Sequence, residues 1–136
     1  MGVVVFDAYV LIGFMNPKDA HHTDAIAWMR DATRPHTERW ISAVNYSELL
    51  VAPVREGKHE HVEAMLSGFS IQIATVDRAS AKRAAAVCAR TSLKLPDAYA
   101  VATAIQLENR GRTDVRLATF DKKVLKAHQE LHPSLS

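Results

Sequence analysis

Val3-Val4-Val5-Phe6-Asp7-Ala8-Tyr9-Val10-Leu11-Ile12 decides how the rest of the chain is read. Val3–Phe6 is continuously apolar and mostly β-branched, too short for a helix and without the alternation of a half-exposed strand. It predicts a strand buried on both faces. An acid follows at once. A second apolar run, Tyr9–Met15, then closes at the turn signal Asn16-Pro17 and predicts a short helix directly after the strand. A strand hidden on both faces needs helices above and below it, so the flanking sequence must supply them.

It does. Ala25, Trp28 and Met29 recur at helical spacing over Ala20–Arg30, with Asp19 as N-cap and Thr33-Arg34-Pro35 as the stop. Trp40–Ser42 reads as a second strand and Val44–Ala52 as a helix that Pro53 ends or kinks before Gly57. His59–Leu66 is a further short helix and Ile71–Val76 a third strand. Asp77 caps an Ala-rich helix over Arg78–Arg90. Pro96-Asp97 opens the next helix, with Ala98, Val101, Ala102 and Ile105 as its apolar stripe and Gly111 as its end. Val115–Ala118 is a fourth strand, and Asp121 caps a last helix over Lys122–His128. Pro133 breaks the tail, where His132–Leu135 is either a marginal fifth strand or a frayed end. Strands alternating with helices predict an α/β domain with a mostly parallel sheet of four to five strands and helices on both faces. Ligands of such sheets bind beyond the carboxyl ends of the strands.

The chain has 136 residues, which suits one domain, 1–136. Its 48% hydrophobic and 24% charged residues exclude a disordered, collagen-like or disulfide-built protein. Cys88 is the single cysteine, so no intramolecular disulfide and no Cys-rich metal motif forms. Asp7 interrupts the N-terminal apolar run, no basic segment precedes it, and no apolar stretch approaches membrane-spanning length. The expectation is a cytoplasmic protein with no membrane partner.

Four acids stand where a sheet of this kind places chemistry. Asp7 ends the first strand, although it also caps the helix that follows. Glu48 has Val44, Val51 and Ala52 as helical neighbours, an apolar setting in which a lone carboxylate is costly. Asp97 suits a helix N-terminus by its charge, yet shares a face with Val101 and Ala104. Asp121 lies just past the fourth strand, and an N-cap explains it by itself, with Thr119 competing for that cap. Together the four would converge on one sheet edge. Carboxylates held that close repel one another, and a divalent cation relieves the repulsion. Mg²⁺ and Mn²⁺ favour oxygen ligands and activate water toward phosphoryl centres.

At these residues the sequence resembles a PIN-domain ribonuclease, specifically a VapC-type toxin of a toxin–antitoxin pair. Four ordered segments carry the resemblance: Val4–Ile12 with Asp7, Ser42–Leu50 with Glu48, Leu95–Ala104 with Asp97, and Leu117-Ala118-Thr119-Phe120-Asp121. The resemblance implies a three-layer PIN-like sandwich and a metal-dependent endoribonuclease. Asp7, Glu48, Asp97 and Asp121 would carry Mg²⁺ or Mn²⁺. Asp7 and Asp97 would bind directly, Glu48 would bind or orient the water, and Asp121 would act partly through water. Activated water would attack phosphorus in line, leaving a 5′-phosphate and a 3′-hydroxyl. A homodimer and a cognate small VapB-type antitoxin, whose tail blocks the site, are also implied.

The sequence departs from the family pattern in two ways. Ala8 and Tyr9 stand where a hydroxyl often supports the first acid, and Lys123 stands where a further acid often follows the last. These imply one well-formed metal site, with a second ion recruited alongside RNA. They also motivate an alternative, a catalytically weak PIN-like module that binds RNA or protein. A haloacid-dehalogenase-type phosphatase would need a second acid at position 9, which is Tyr9.

Other residues read more plainly. The spacings of His21-His22 and of His59 and His61 do not aim two rings at one ion, and predict solvated surface. Cys88, Trp28 and Trp40 read as packing residues, the tryptophans in the core or a dimer contact. Of the basic clusters, Lys122, Lys123 and Lys126 are the best placed for phosphate, beside Asp121. The formal charge is +2, but removing the four site acids from the total of 15 leaves 11 acidic residues against 17 basic ones. The exterior is therefore basic around an acidic pocket, as suits a polyanionic substrate.

Overall fold

A computed structural model describes residues 1–135. In chain order the elements are β1 (Gly2–Phe6), α1 (Ala8–Met15), α2 (His22–Ala32), β2 (Thr37–Ser42), α3 (Ala43–Arg55), α4 (His59–Gly68), β3 (Ile71–Ala74), α5 (Arg78–Arg90), α6 (Leu95–Asn109), β4 (Val115–Ala118) and α7 (Lys122–Leu135). The sheet has four strands in the order β3-β2-β1-β4, and every pairing is parallel.

The period-two geometry of β1 divides the core. Val3 and Val5 point into one layer, with α5, α6 and α7, and Val4 and Phe6 into the other, with α1, α2, α3 and α4. All five residues of β1 are buried, so the sheet is covered on both faces as its first strand demands. Trp40 and Cys88 pack against the first layer and Trp28 against the second.

Several boundaries differ from expectation for identifiable reasons. β2 begins at Thr37 rather than Trp40, because the half-buried Arg39 donates from its guanidinium to the carbonyls of Ala32, Thr37 and Phe69. Those bonds tie the ends of α2 and α4 to the strand and make a charged residue acceptable there. α2 starts two residues late, since the Asp19 carboxylate closes the preceding turn by accepting from the His21 N–H. Pro53 is absorbed in the last turn of α3, and β3 stops at Ala74. The tail holds neither a fifth strand nor a break at Pro133. Val124, Ala127 and Leu131 form an apolar face that carries α7 past His128, and the helix runs to Leu135. α6 is buried almost all round rather than along one stripe, with Ala98, Ala100, Ala102 and Ala104 small enough to admit neighbours on every side. No helix among the described residues is long and apolar enough to cross a membrane.

Candidate active site

β1 and β4 are parallel neighbours, so Asp7 and the turn holding Asp121 emerge at the same edge. β2, on the other side of β1, passes straight into α3 and brings Glu48 to that edge in the second turn. α6 starts there too, with Asp97 in its first turn. All four acids line one cavity of about 630 Å³, together with Tyr9, His21, Lys94, Phe120, Lys122 and Lys123. The fold thus brings together every acid that the sequence singles out.

Each carboxylate is held differently. Asp7 is 6% exposed and caps α1, accepting from the Val10 N–H at 2.9 Å. Burial pushes its pKa up, Asp97 adds to the rise, and hydrogen bonds from the Thr119 hydroxyl and the backbone oppose it. Thr119 therefore supplies the support that Ala8 and Tyr9 cannot, and its Oγ1 also accepts from the Asp121 N–H at 3.1 Å. Asp121 in turn accepts from the Lys123 N–H at 2.8 Å. Asp97 is also raised, first by burial and then by the charges of Asp121 and Glu48, with Lys94 acting against them. The acids are close enough for Asp97 to sense each of the other three.

Asn45 is the residue that sequence reading missed. Buried to 1% exposure, it donates from Nδ2 to Glu48 Oε1 at 3.0 Å and to the Pro96 carbonyl at 3.1 Å. Its Oδ1 accepts from the Ser42 hydroxyl at 2.7 Å. One amide thus joins the α3 cap, Glu48 and the start of α6. Its spacing of three from Glu48 was a readable sign of a shared helix face; the link to Pro96 was not, because it is tertiary.

Among the described residues, no three His, Cys, Asp or Glu side chains lie close enough to clasp one ion alone. The donor set is nonetheless all-carboxylate and mutually repelling, which suits a hard cation that retains much of its own water. Lys122 and Lys123 line the cavity, whereas Lys126 lies 3.9 Å from Glu130. Arg112 and Arg116 pair with Glu38 and Asp31 instead. Of the two histidine pairs, His21-His22 departs from plain solvated surface: His22 Nδ1 lies 2.8 Å from the Gly13 carbonyl, and the exposed His21 ring stacks on Phe120.

A parallel α/β sandwich with acids gathered at its carboxyl edge defines a class of carboxylate-centred domains. Within it, the sequence matches the PIN domain family over residues 4–130, and the chain belongs to that family. Several solved structures share its fold. A toxin–antitoxin complex from Klebsiella pneumoniae is 26% identical with a TM-score of 0.64, the match covering 88% of each chain. VapC20 of Mycobacterium tuberculosis, a sarcin–ricin-loop-cleaving toxin, is 16% identical with a TM-score of 0.68, covering 91% of this chain and 94% of that one. A chain of VapBC2 from Rickettsia felis, bound to a DNA fragment of its promoter, is 11% identical with a TM-score of 0.59, covering 88% and 99%. No curated protein matches the sequence.

Proposed function

We propose that residues 1–136 form one PIN-like unit that acts as a Mg²⁺- or Mn²⁺-dependent endoribonuclease toxin. The observation that carries this reading is the convergence of Asp7, Glu48, Asp97 and Asp121, from four separate elements, around one cavity with lysines at its mouth. Membership of the PIN family and the similarity to a sarcin–ricin-loop-cleaving toxin support it.

Asp7 and Asp97 would hold the cation, with Glu48 and Asp121 completing the site partly through water. When bound, the cation would offset carboxylate repulsion, activate water and stabilise phosphoryl charge. Asn45 occupies Glu48 Oε1, which leaves Oε2 to orient the attacking water and accept its proton. Water oxygen would bond to phosphorus as the P–O3′ bond breaks, leaving a 5′-phosphate and an O3′ oxyanion that takes a proton from solvent to become the 3′-hydroxyl. Lys94, Lys122 and Lys123 offset the charge of the flanking phosphates. The Klebsiella and Rickettsia relatives support a small antitoxin as partner, and a homodimer and a cytoplasmic location complete the reading.

The purified protein should cut a structured RNA with Mg²⁺ or Mn²⁺ and stop in EDTA. Undiminished cutting by Asp97→Asn would overturn the site assignment. A second reading, an RNA- or protein-binding module with weak turnover, draws on the spread of the acids and on Lys123. It predicts RNA binding indifferent to EDTA and no growth arrest on expression.

A further inference from the structure

A second hollow lies on the other side of the molecule from the acids. In the layer that holds Val3 and Val5, α6 lies along β1, β2 and β4, while α5 packs chiefly on α6. Residues 75–77, which join β3 to α5, therefore cross a gap between the β2–β3 corner of the sheet and the C-terminal half of α6. That gap is a hollow of about 230 Å³. It shares no lining residue with the acid cavity. Arg110 at its end is about 20 Å along the helix from Asp97, at 1.5 Å per residue. We infer that this hollow binds a small zwitterion, a free amino acid with a compact apolar side chain.

The lining identifies the occupant. Trp40, Ile73 and Leu107 supply apolar wall, and Asp77, Arg110 and Gln106 supply the polar groups. Asp77 is fixed as the N-cap of α5, accepting from the Ser80 N–H at 2.8 Å. The bonds from Ser80 hold its carboxyl below the ordinary carboxylate range, and the charge of Arg110 acts in the same direction. Arg110 is fixed in turn by its backbone N–H, which closes α6 on the Gln106 carbonyl at 3.1 Å. Among the described residues, neither side chain is in an ion pair. Two opposite charges thus face one hollow, near enough to interact and too far apart to pair. A simple anion would be repelled by Asp77 and a simple cation by Arg110. An apolar molecule would strip water from both. A zwitterion answers both: its carboxylate meets the Arg110 fork and its ammonium meets Asp77. Its side chain then lies on Trp40, Ile73 and Leu107. The volume falls below the roughly 300 Å³ at which pockets for drug-sized molecules begin, which restricts that side chain to a compact one.

The test uses the full chain labelled with ¹⁵N and titrated with L-valine. The two tryptophans give two indole N–H signals. The Trp40 signal should shift saturably and the Trp28 signal should stay in place. Each charge is then removed from the ligand. L-Valinamide lacks the carboxylate and 3-methylbutanoate lacks the ammonium, and each should bind at least about tenfold more weakly. Asp77→Asn, which keeps a capping side chain, and Arg110→Gln should each weaken L-valine by a similar factor in calorimetry. Cleavage of RNA should be the same in both variants as in the parent, so the nuclease reading stands or falls separately. No shift of the Trp40 signal with L-valine up to about 10 mM overturns the inference. Equal binding of 3-methylbutanoate also overturns it, making the hollow an apolar or anion site. Undiminished calorimetric binding in both variants does so too, because the amino acid would then sit elsewhere.

Discussion

Asp7 is the most deeply buried of the four acids. Its pKa lies above the ordinary carboxylate value because it is buried, so the folded chain binds a proton more readily than the unfolded one. The resulting stabilisation is present below the unfolded pKa and is lost as pH rises through the folded one. Asp97 acts in the same direction. In EDTA the melting temperature should therefore fall as pH rises above the ordinary carboxylate range, on account of these two residues. Asp7→Asn keeps a cap for Val10 and removes the buried charge, so it should melt higher than the parent at neutral pH while losing cleavage. An Asp7→Asn protein that melts lower in EDTA contradicts this account. Asn45 makes the opposite case. Asn45→Ala should cost about 1–3 kcal/mol in denaturant unfolding, because its removal orphans buried partners. It should also lower kcat at least tenfold through loss of the Glu48 orientation, an effect that a purely structural role would not produce.

At the scale of the element, α3 carries Glu48 and α6 carries Asp97. α6 can lie in the centre of its layer because its alanines leave room on all sides, and Ala104 is fully buried. Ala104→Leu should cost about 1–3 kcal/mol through overpacking. Because Asp97 rides on the same helix, the affinity for Mg²⁺, read by titration calorimetry, should weaken too. Ser42 caps α3 and touches Asn45, so Ser42→Ala should cost about 1 kcal/mol. Glu48 should lose orientation with it. Unaltered cleavage by this variant would separate the cap from the site. The helix of α5 was legible to the residue, since Asp77 and Ser80 form a local capping box. α7 runs longer than Pro133 suggests, because tertiary packing extends its apolar face to Leu131.

For the whole molecule, charge separation matters more than net charge. Three lysines at the cavity predict that RNA affinity in EDTA falls with salt at a log–log slope of about −2, from roughly 0.7 per phosphate contacted on a single strand. A slope near zero, measured by fluorescence anisotropy, would place the RNA elsewhere. Added Mg²⁺ should raise stability by about 2.7 kcal/mol at a hundredfold excess over its Kd, and Asp97→Asn should abolish most of that gain.

Alternation of strand and helix, the doubly buried β1 and the positions of four acids were all determined by the sequence alone, because apolar periodicity and cap chemistry are local. Their proximity was legible only through a rule about strand ends. Tertiary structure decided the rest. Adjacency of β1 and β4 lets Thr119 reach both Asp7 and Asp121, and packing of α3 near α6 lets Asn45 join Glu48 to Pro96. The His21–Phe120 stack joins residues about a hundred positions apart. Contacts of that range depend on which elements become neighbours, and no local pattern of side chains specifies that.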